Sequence, residues 1–586
     1  MVVGRDETAT GLGPTSPVSN TSCRPASALQ PLALFLFCLF ILFHNLGGAA
    51  LFEPDEGRNS EIAREILLLN DWVTPHDNFV PALDKPVFFY WWIAFCYKVI
   101  GISEWSARLP SALAALGSVI LIYLFVRRFI GSREAAWSAV ILSTNIESFA
   151  LARIVIFDAA LTFFMTLSLC SFYWATHAGN ISRRRIFFIL MYASMGVGTL
   201  LKGPIGTILP AMVIFFYLLI AWKWAVLRSM NFVLGAVIFF AIVAPWYIWV
   251  EVRNPGYLHY FLWEENFVRF LTPHFQRPGP WYYFLFVLMI GFLPWTPLIP
   301  VVMKDLWKRL PEENAVFLAV WSALPFLFFS LSSSKLPHYI LPMYPPLCIL
   351  TGQTLASILT NPSRKRSWLL FLPWLCEVLP LIYLSLGSAW PTILPGDIRE
   401  AVARMPQLYL LGALMLLAFA AFSVTNWRGE VKNKAAFYPL YCSGLLIFFL
   451  FASQMMKSAS VERSAKELAN KAAPFIDAEG QSALYDTYLA GLPFYLRVSR
   501  PIWVVSSGNK SSIMGSFYIA EKHPQPAAGY GKVLFTFEEF AQQWKKSTRR
   551  LFVFVREKNL SYLKSEPGVS PKELAKAGDV ILVVNP

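Results

Sequence analysis

Residues 31–52, PLALFLFCLFILFHNLGGAALF, form an apolar run that leads directly into residues 53–72, EPDEGRNSEIAREILLLNDW. An apolar stretch of about 20 residues is long enough to cross a bilayer as a helix, so we expect an uncleaved first membrane span here. The alternative is a cleaved signal peptide with GGAA as its small-residue site. Mixed charges crowd the stretch that follows: Asp55, Glu56, Arg58, Glu61, Arg64 and Glu65. The first span therefore delivers the chain into a dense cluster of charge.

The composition of the 586-residue chain is that of a membrane protein with many spans. Hydrophobic residues make up 56% of the chain, charged residues only 15%, and the mean hydropathy is +0.50. Soluble domains average about 45–50% apolar and about 25% charged residues. The apolar excess falls into blocks of membrane-spanning length, of which the chain has about thirteen. The expected fold class is an α-helical polytopic membrane protein.

The positive charges lie mainly in short connectors between apolar blocks. Arg127 and Arg128 follow one block, and residues 183–185 are three consecutive arginines between two others. Lys and Arg mark the cytoplasmic side because they resist translocation. The net charge of +14 therefore reflects membrane topology and excludes nucleic acid as the expected partner. With these connectors inside, the N-terminus is cytoplasmic and an odd number of spans places the C-terminus outside.

The sequence divides into three parts. Residues 1–30 are rich in Ser, Thr, Pro and Gly and predict a disordered cytoplasmic tail. Residues 31–456 are the transmembrane domain, with loop helices on its outer face at 54–100. Beyond it, short β-type runs such as RLFVFV (550–555) alternate with helical stretches. That alternation predicts a soluble periplasmic α/β domain over residues 457–586.

A second set of charges lies on the expected outer face, close to the ends of spans. It comprises Asp84, Lys85, Asp158, Lys202, Glu264, Glu265, Arg269, Lys335 and His338. Ionisable groups at membrane depth are costly, and they usually line a cavity or pair with one another. A cavity lined by carboxylates and bases at the outer leaflet would suit a lipid phosphate together with a polar reactant.

Several of these charges also have a purely structural interpretation. Asp55 follows Pro54 and has the position of a helix cap. Lys85 has the reach to place its ammonium group among lipid headgroups. Asp158 begins a span, where a carboxylate is favoured by the helix dipole alone. The spacing within residues 53–72 also fits ordinary surface ion pairs, namely Glu61 and Glu65 with Arg58 and Arg64. The clustering of so many charges on one face favours a functional cavity.

Six motifs occur in a characteristic order along the chain. They are PDEGRNSEIAREILLLNDWVTPHDN (54–78), LDKPVFFYWW (83–92), ARIVIFDAALTFF (152–164), LLKGPIG (200–206), WEENFVRF (263–270) and KLPHYILPMYPPL (335–347). The ordered set resembles bacterial GT-C glycosyltransferases of the protein mannosyltransferase-like group. Within that group the chain is most similar to the 4-amino-4-deoxy-L-arabinose transferases that modify lipid A. The resemblance implies a GT-C membrane fold with a C-terminal outer domain.

The resemblance also implies which residues act. Asp55 corresponds to the acidic catalytic position of the first outer loop, with Glu56 beside it, and Asp158 would orient the donor or the acceptor. The residues expected to bind the donor phosphate are Arg58, Lys85, Lys202 and Arg269. The positions at which some relatives carry metal ligands are Asp84, Glu264 and Glu265. A divalent metal ion is accordingly the one cofactor that the resemblance leaves open.

The expected function is transfer of a sugar from a polyprenyl-phosphate carrier, such as undecaprenyl phosphate, to lipid A or another envelope glycolipid at the outer face of the bacterial inner membrane. Lys and Arg suit this reaction because they stabilise the charge that develops on a phosphate leaving group. The partners are then the lipid-linked donor, a glycolipid or protein acceptor and membrane lipids. The alternatives are a protein O-mannosyltransferase-like enzyme, a transporter or flippase of lipid-linked sugar, and an assembly scaffold. Charges at one face and the lack of a clear repeat count against transport.

Overall fold

The computed structural model of the chain describes residues 29–272, 279–360, 368–389, 396–405, 407–426, 434–477, 479–506, 529–565 and 568–585. Nearly all of the predicted N-terminal tail, residues 1–30, lies outside these ranges. The first ten helices are α1 (Leu29–Phe43), α2 (Asp55–Leu69), α3 (Phe88–Ile100), α4 (Glu104–Phe129), α5 (Ser132–Ser143), α6 (Ile146–Ala152), α7 (Phe157–Thr176), α8 (Ile181–Lys202), α9 (Ile205–Ile220) and α10 (Phe232–Arg253). A two-stranded antiparallel hairpin, β1 (His76–Asp77) and β2 (Val80–Pro81), lies between α2 and α3.

The next ten helices complete the transmembrane part. They are α11 (Tyr257–His259), α12 (Arg269–Leu271), α13 (Tyr283–Gly291), α14 (Ile299–Arg309), α15 (Glu313–Leu331), α16 (Tyr344–Thr360), α17 (Phe371–Ala389), α18 (Gly396–Ala403), α19 (Leu408–Asn426) and α20 (Lys434–Ser460). A π-helix, Tyr260–Val268, joins α11 to α12. Short 3-10 helices at Trp224–Ser229, Thr296–Leu298 and Pro337–Met343 connect other elements.

Several helices are long and apolar enough to cross a membrane, as the composition predicted. Among the described residues there are 6 such helices, or up to 8 if each of two bent pairs is counted as one span. The six are α4, α7, α8, α10, α15 and the Pro439–Ser460 part of α20. These helices confirm the α-helical polytopic fold class.

Two predicted straight spans are broken helices. The pair α5 and α6 is bent by 63°, and α13 is bent by 111° from the segment Thr296–Arg309. The first break has a local cause, because the Asn145 side chain accepts a hydrogen bond from the backbone N–H of Ser148 at 2.9 Å and so caps the second helix. The two breaks also meet, since the backbone N–H of Ile146 donates to the carbonyl of Leu293 at 3.0 Å.

The first apolar run is not one long helix. Helix α1 ends at Phe43, well before the end of the apolar run at residue 52. Asn45 has a left-handed backbone with φ of 57°, which breaks the helical path. Gly47 then passes so close to α4 that a Cβ atom there would lie 2.9 Å from the Cβ of Trp105. The remainder of the run is therefore a tight connection that brings the charged segment back against α4.

Helix α2 is covered on both sides, although its spacing suggested a surface helix. Glu61 and Glu65 are fully buried, and Arg64 donates two hydrogen bonds of 2.7 Å to Glu61. A third hydrogen bond from Arg64, 2.7 Å long, reaches the carbonyl of Val498 in the C-terminal part of the chain. Of the ion pairs that the spacing suggested, Glu61 with Arg64 is thus an interior pair. Arg58 instead pairs with Asp55, and Glu65 accepts a hydrogen bond from the backbone N–H of Phe79.

The C-terminal part contains a mixed α/β fold around one sheet. Its elements are α21 (Lys466–Ala472), β3 (Gln481–Tyr485), α22 (Leu492–Leu496), β4 (Trp503–Val505), β5 (Leu534–Phe535), α23 (Phe537–Lys546), β6 (Leu551–Arg556), α24 (Glu557–Ser565), β7 (Lys572–Ala577) and β8 (Val580–Val584). The strand order is β5-β4-β3-β6-β8-β7, parallel from β5 to β6 and antiparallel beyond it. The predicted C-terminal α/β fold is confirmed.

Two further features of this part concern its boundary and its last hairpin. Helix α20 continues to Ser460, past the predicted boundary at residue 456. Strand β7 has the sequence KELAKA, which favours helix by intrinsic propensity. It forms a strand because its backbone pairs with the buried strand β8, and tertiary pairing outweighs so weak a preference.

Candidate active site

A cavity of about 1320 Å³, counted with its open mouth, lies where α7, α8 and the π-helix meet. Much of its wall is apolar: Leu161, Ile205, Ile208, Phe261, Leu262, Phe267, Phe270, Leu271, Phe328 and Phe329. Its charged lining consists of Lys85, Asp158, Lys202, Glu265 and Arg269. The cavity therefore combines three cations and two carboxylates with a long apolar surface, a combination that suits an amphipathic ligand.

One carboxylate holds two of the three cations. Glu265 is buried, and its Oε1 accepts a hydrogen bond from Lys85 Nζ at 2.8 Å. The same oxygen forms an ion pair with Arg269, four residues further along the chain. Lys85 also donates to the carbonyl of Asp84 at 2.7 Å. Two like charges are thus kept together on the cavity wall by the carboxylate between them.

The second carboxylate, Asp158, is bound to the third cation. Asp158 lies in the first turn of α7 and accepts a hydrogen bond of 2.6 Å from Lys202 Nζ. Nε2 of His338 lies 3.7 Å from its other oxygen, and the ring of Tyr339 lies 4.7 Å from Lys202 Nζ. Lys202 is the last residue of α8, and Gly203 follows with φ of 81°, a conformation that glycine adopts readily.

A further charge cluster adjoins the cavity without lining it. Arg58 lies 3.2 Å from Asp55 and 3.8 Å from Asp84. Burial alone would raise the pKa of Asp84, but Arg58, Lys85 and Arg269 together lower it below its usual range. Asp84 is therefore an anion, and it links this cluster to Lys85. The Asp55 side chain is 53% exposed and is the accessible carboxylate of the group.

Asp55 does not act as the capping residue that its position suggested. The residue at the cap position is Pro54, no side chain caps α2, and Asp55 is the first residue of the helix. Its carboxylate is held by Arg58 one helical turn later. The side chain is therefore free of a backbone-capping role.

Glu56 has a structural environment in the interior. Both its oxygens accept hydrogen bonds from Arg108, at 2.9 and 2.8 Å, and both residues are about 1% exposed. The backbone N–H groups of Phe52 and Val155 donate to the same carboxylate at 3.0 and 2.8 Å. These contacts occupy the carboxylate fully, so Glu56 anchors the charged segment to α4 and is not among the groups exposed to the cavity.

The predicted metal ligands are not brought together. Within the described parts of the chain, no group of three or more His, Cys, Asp or Glu side chains is arranged to hold a metal ion. Glu265 is bound by two cations, Asp84 lies beside Arg58, and Glu264 is directed to His259 at 3.9 Å. Carboxylates already neutralised by Lys and Arg are a poor donor set for a divalent ion. These residues therefore do not fit a metal site.

Of the ten predicted site residues, the five that line the cavity are Lys85, Asp158, Lys202, Glu265 and Arg269. Tyr339 of the motif KLPHYILPMYPPL lines the cavity but has no role predicted from the sequence, whereas Lys335 of the same motif is among the outer-face charges without a specific predicted role. Lys335 is buried beside the cavity residue Ser332, to whose carbonyl its ammonium group donates at 2.6 Å. The phenylalanines of the cavity wall could not be identified from the sequence, because apolar residues are common throughout the chain of a membrane protein.

Known proteins resemble this chain over most of its length. Residues 84–249 match the family model described as dolichyl-phosphate-mannose-protein mannosyltransferase. Over 427 residues the chain is 32% identical to the undecaprenyl phosphate-alpha-4-amino-4-deoxy-L-arabinose arabinosyl transferase of Pseudomonas aeruginosa (strain UCBPP-PA14), which covers 72% of this chain and 75% of that one.

Solved structures are similar over nearly the whole chain. The crystal structure of ArnT from Cupriavidus metallidurans bound to undecaprenyl phosphate has a TM-score of 0.81 and 27% sequence identity to this chain. The match covers 95% of this chain and 98% of that one. The apo state of the same protein matches with a TM-score of 0.80.

Proposed function

Because the chain belongs to the family of undecaprenyl phosphate-4-amino-4-deoxy-L-arabinose arabinosyl transferases, we propose that it moves 4-amino-4-deoxy-L-arabinose from undecaprenyl phosphate to lipid A. Family membership confirms the resemblance drawn from the ordered motifs. It makes the chain an integral-membrane glycosyltransferase that uses a polyprenyl-phosphate sugar donor. The transporter and scaffold alternatives are excluded with it. No feature of the site favours a protein acceptor over a glycolipid.

The observation that carries the proposal is the cavity itself. Its cations, Lys85, Lys202 and Arg269, lie beside a wall of leucine, isoleucine and phenylalanine side chains. A polyprenyl phosphate has the matching shape, with an anionic group at one end of a long hydrocarbon chain. Arg binds phosphate oxygens through paired N–H groups, and Lys does so as a point charge. The donor phosphate would therefore bind at the cations, with the first prenyl units against the phenylalanines.

The transfer breaks the bond between the anomeric carbon of the sugar and the phosphate oxygen. An acceptor oxygen forms the new bond to that carbon, and the bonding pair leaves with undecaprenyl phosphate. The leaving phosphate gains one negative charge in this step. Cations already held in place by Glu265 and Asp158 would stabilise that charge without rearrangement, which is the main way in which such sites lower a barrier. An acceptor phosphate is already ionised and needs no general base.

The carboxylates take different roles in this proposal. Glu265 and Asp158 are bound to cations, and they orient Lys85, Arg269 and Lys202. Asp55 is the accessible carboxylate, and it would orient the acceptor or receive its proton where the nucleophile is a hydroxyl. Arg58 contacts both Asp55 and Asp84, and Asp84 adjoins Lys85. Arg58 and Asp84 would therefore fix the positions of Asp55 and Lys85 relative to each other. The donor-binding role predicted for Arg58 thus becomes a positioning role.

The membrane arrangement proposed from the sequence completes the model of function. The protein is a multi-pass membrane protein, and we place its N-terminal tail in the cytoplasm and residues 457–586 in the periplasm of a bacterial inner membrane. The basic connectors support this orientation. It puts the catalytic cavity on the periplasmic side, where nucleotide sugars are absent and a lipid carrier supplies activated sugar.

Mass spectrometry of envelope lipids tests the proposed function. Cells lacking this protein would be complemented with wild type, Lys85→Ala, Asp55→Asn and the control Lys98→Ala, which changes an exposed lysine of α3. We expect lipid A carrying aminoarabinose from wild type and the control. We expect Lys85→Ala to lower the amount of modified lipid A by about 100-fold or more. A hydrogen-bond donor directed at the charge that develops in the transition state contributes about that much to the rate.

The outcomes separate the parts of the proposal. Each variant is first shown to reach the membrane at the wild-type level. Full activity of Asp55→Asn would show that Asp55 has no role in the transfer, while the proposed phosphate site in the cavity would still stand. Full activity of Lys85→Ala would refute the phosphate site. If the sugar is added to another glycolipid or to proteins and lipid A is unchanged, lipid A is refuted as the acceptor.

A further inference from the structure

A second cavity of about 810 Å³, counted with its open mouth, lies at the opposite end of α8 from the catalytic cavity. Lys202 ends α8 in the catalytic cavity, whereas this second cavity is lined by residues of its first turns. A helix of 22 residues spans roughly 33 Å, about the thickness of the hydrocarbon core. The two cavities therefore lie at opposite membrane faces. We call the second one the arginine cavity.

Three arginines line the arginine cavity, and none of them forms an ion pair with a carboxylate of the residues that the structure describes. They are Arg184 and Arg185 of α8 and Arg228 of the 3-10 helix Trp224–Ser229. Arg184 donates one hydrogen bond to the carbonyl of Ala178 at 3.3 Å, and its buried Nε has no hydrogen-bond partner. Arg185 and Arg228 are exposed and Arg184 is half-buried. The three like charges repel one another, so an anion among them would be favourable.

The walls of the arginine cavity are held in place by packing. The hydroxyl of Tyr192 on α8 donates to the carbonyl of Met230 at 3.2 Å. Gly235 of α10 lies so close to this tyrosine that a Cβ atom there would be 2.4 Å from the ring. Helices α8 and α10 are thus fixed against each other, with the arginines at their edge. The wall of the cavity formed by Tyr192, Met230 and Gly235 is therefore closely packed.

The sequence neighbours of the residues that line the arginine cavity include large exposed apolar side chains as well as polar ones such as Arg183. The large apolar side chains in these segments are Ile181 (75% exposed), Ile186 (59%), Trp222 (79%), Phe232 (54%) and Val233 (78%). Side chains of this kind at the end of membrane helices face lipid rather than water. An anion that carries hydrocarbon of its own would contact these side chains as well as the arginines. A free phosphate ion would contact the arginines alone.

We propose that the arginine cavity binds the headgroup phosphate of an anionic phospholipid from the leaflet opposite the catalytic cavity. Basic cavities between membrane helices are suited to phosphate-bearing headgroups. Arg184 would supply a bidentate contact through its terminal nitrogens, and Arg185 and Arg228 would bind the remaining oxygens. Its volume suits a headgroup, while the acyl chains would lie on the exposed isoleucine and phenylalanine side chains. The bound lipid would brace α8, whose other end carries Lys202.

Native mass spectrometry of the purified full-length protein tests this proposal. The protein would be delipidated in detergent and titrated with phosphatidylglycerol, phosphatidylcholine or undecaprenyl phosphate. The variants are Arg184→Ala and Arg228→Ala. The matched control is Arg183→Ala, which removes an exposed arginine next to Arg184 that does not line the cavity. A charged hydrogen bond contributes about tenfold or more to affinity. We therefore expect both variants to bind phosphatidylglycerol at least about tenfold more weakly than wild type, and the control to bind it with wild-type affinity.

Each result decides for or against the proposal. Preference for phosphatidylglycerol over phosphatidylcholine, lost in Arg184→Ala and kept in Arg183→Ala, supports it. Equal binding of the two phospholipids, or equal loss in all variants, refutes it. If inorganic phosphate alone displaces phosphatidylglycerol at equal concentration, the cavity binds simple anions, and the proposal that a phospholipid occupies it is refuted. Binding of undecaprenyl phosphate that is lost in Lys85→Ala but kept in Arg184→Ala would place that lipid in the catalytic cavity and support the separate phospholipid site. Binding that is lost in Arg184→Ala but kept in Lys85→Ala would refute the proposed occupant.

A second variant keeps the test valid if an alanine variant misfolds. Arg184→Lys retains the charge but loses the paired N–H groups, so it should fold and still bind phosphatidylglycerol more weakly than wild type. Monodisperse elution and the wild-type melting temperature establish folding before titration. A folded Arg184→Lys variant with unchanged affinity would overturn the assigned role of Arg184.

Discussion

At the scale of single residues, two neighbouring glutamates have opposite environments. Glu265 is buried and bound to Lys85 and Arg269, whereas the Glu264 side chain is 37% exposed and does not line the cavity. Two cations at one wall repel each other, and only the carboxylate between them allows both to face a phosphate. The sequence offers both glutamates as equivalent candidates, and the structure distinguishes them.

The first prediction therefore compares Glu265→Gln with Glu264→Gln. Neutralising Glu265 removes the shared partner of Lys85 and Arg269, so we expect the transfer rate to fall by about 10- to 100-fold, as when an orienting partner is lost. The matched change at Glu264 should leave the rate within about twofold of wild type, because that side chain contacts neither cation. Both rates would be measured with purified enzyme, donor lipid and lipid A. If both variants instead lose the same amount of activity, and added Mn²⁺ restores it, the result would support the metal-ligand interpretation.

At the scale of elements, the position of Lys202 depends on how closely α8 and α9 approach. Gly203 turns the chain between them, and Gly198 faces Gly206 across the interface. A Cβ atom at Gly206 would lie 2.2 Å from the backbone carbon of Gly198, a distance at which the helices have to separate. The small residues thus set the position from which Lys202 reaches Asp158.

The second prediction compares Gly206→Ala with Gly179→Ala. The added methyl group at position 206 overpacks the α8–α9 interface, which typically costs about 1–3 kcal/mol. We expect a lower melting temperature and a reduced transfer rate, because the end of α8 that carries Lys202 moves. Gly179 has no neighbouring atom within 4 Å of such a Cβ, so its variant should behave as wild type. A Gly206→Ala protein with wild-type melting and rate would contradict the close approach.

At the scale of the whole molecule, the C-terminal domain is joined to the charged segment near the cavity. Glu53 accepts hydrogen bonds from the backbone N–H groups of Ala490 and Gly491 at 2.9 and 2.8 Å. Asp77 accepts one from the Tyr488 hydroxyl at 2.9 Å. The interface is also tight, since a Cβ atom at Gly57 would lie 2.5 Å from the backbone nitrogen of Gly491. The domain therefore supports α2 and the hairpin from outside.

The third prediction concerns the pH dependence of this interface. Burial raises the pKa of Glu53 to about 7 and that of Asp77 to about 7. The usual values of these groups are about 4, so between pH about 4 and 7 the folded protein holds protons that the unfolded chain has released. The stability of the docked domain should consequently fall as pH rises through this window, and level off above it.

Limited proteolysis between pH 5 and pH 8 would measure the effect. We expect faster release of the C-terminal domain at pH 8 in wild type, after correction for protease activity on an unfolded substrate. Glu53→Gln cannot ionise, so its release rate should vary less with pH, with the residual variation coming from Asp77. The same pH slope in wild type and Glu53→Gln would show that Glu53 does not titrate at the interface.

The sequence alone determined the class of the protein and most of its chemical groups. Apolar blocks predict membrane helices because the cost of placing a segment in a bilayer is a sum over neighbouring residues. Short β-type runs likewise identify most strands of the C-terminal sheet, and charges near span ends identify Lys85, Asp158, Lys202 and Arg269. These are local properties, and they are readable without knowledge of the fold.

The tertiary structure alone decided how these groups are partnered. Glu56 binds Arg108, which is 52 residues away, and so becomes an anchor although it adjoins the predicted catalytic position. Lys85 and Glu265 meet across 180 residues. The two bent spans meet at their breaks, where the backbone N–H of Ile146 donates to the carbonyl of Leu293. Electrostatic and hydrogen-bond energies depend on distances of a few ångströms between atoms, and only folding brings residues so far apart in the chain to such distances.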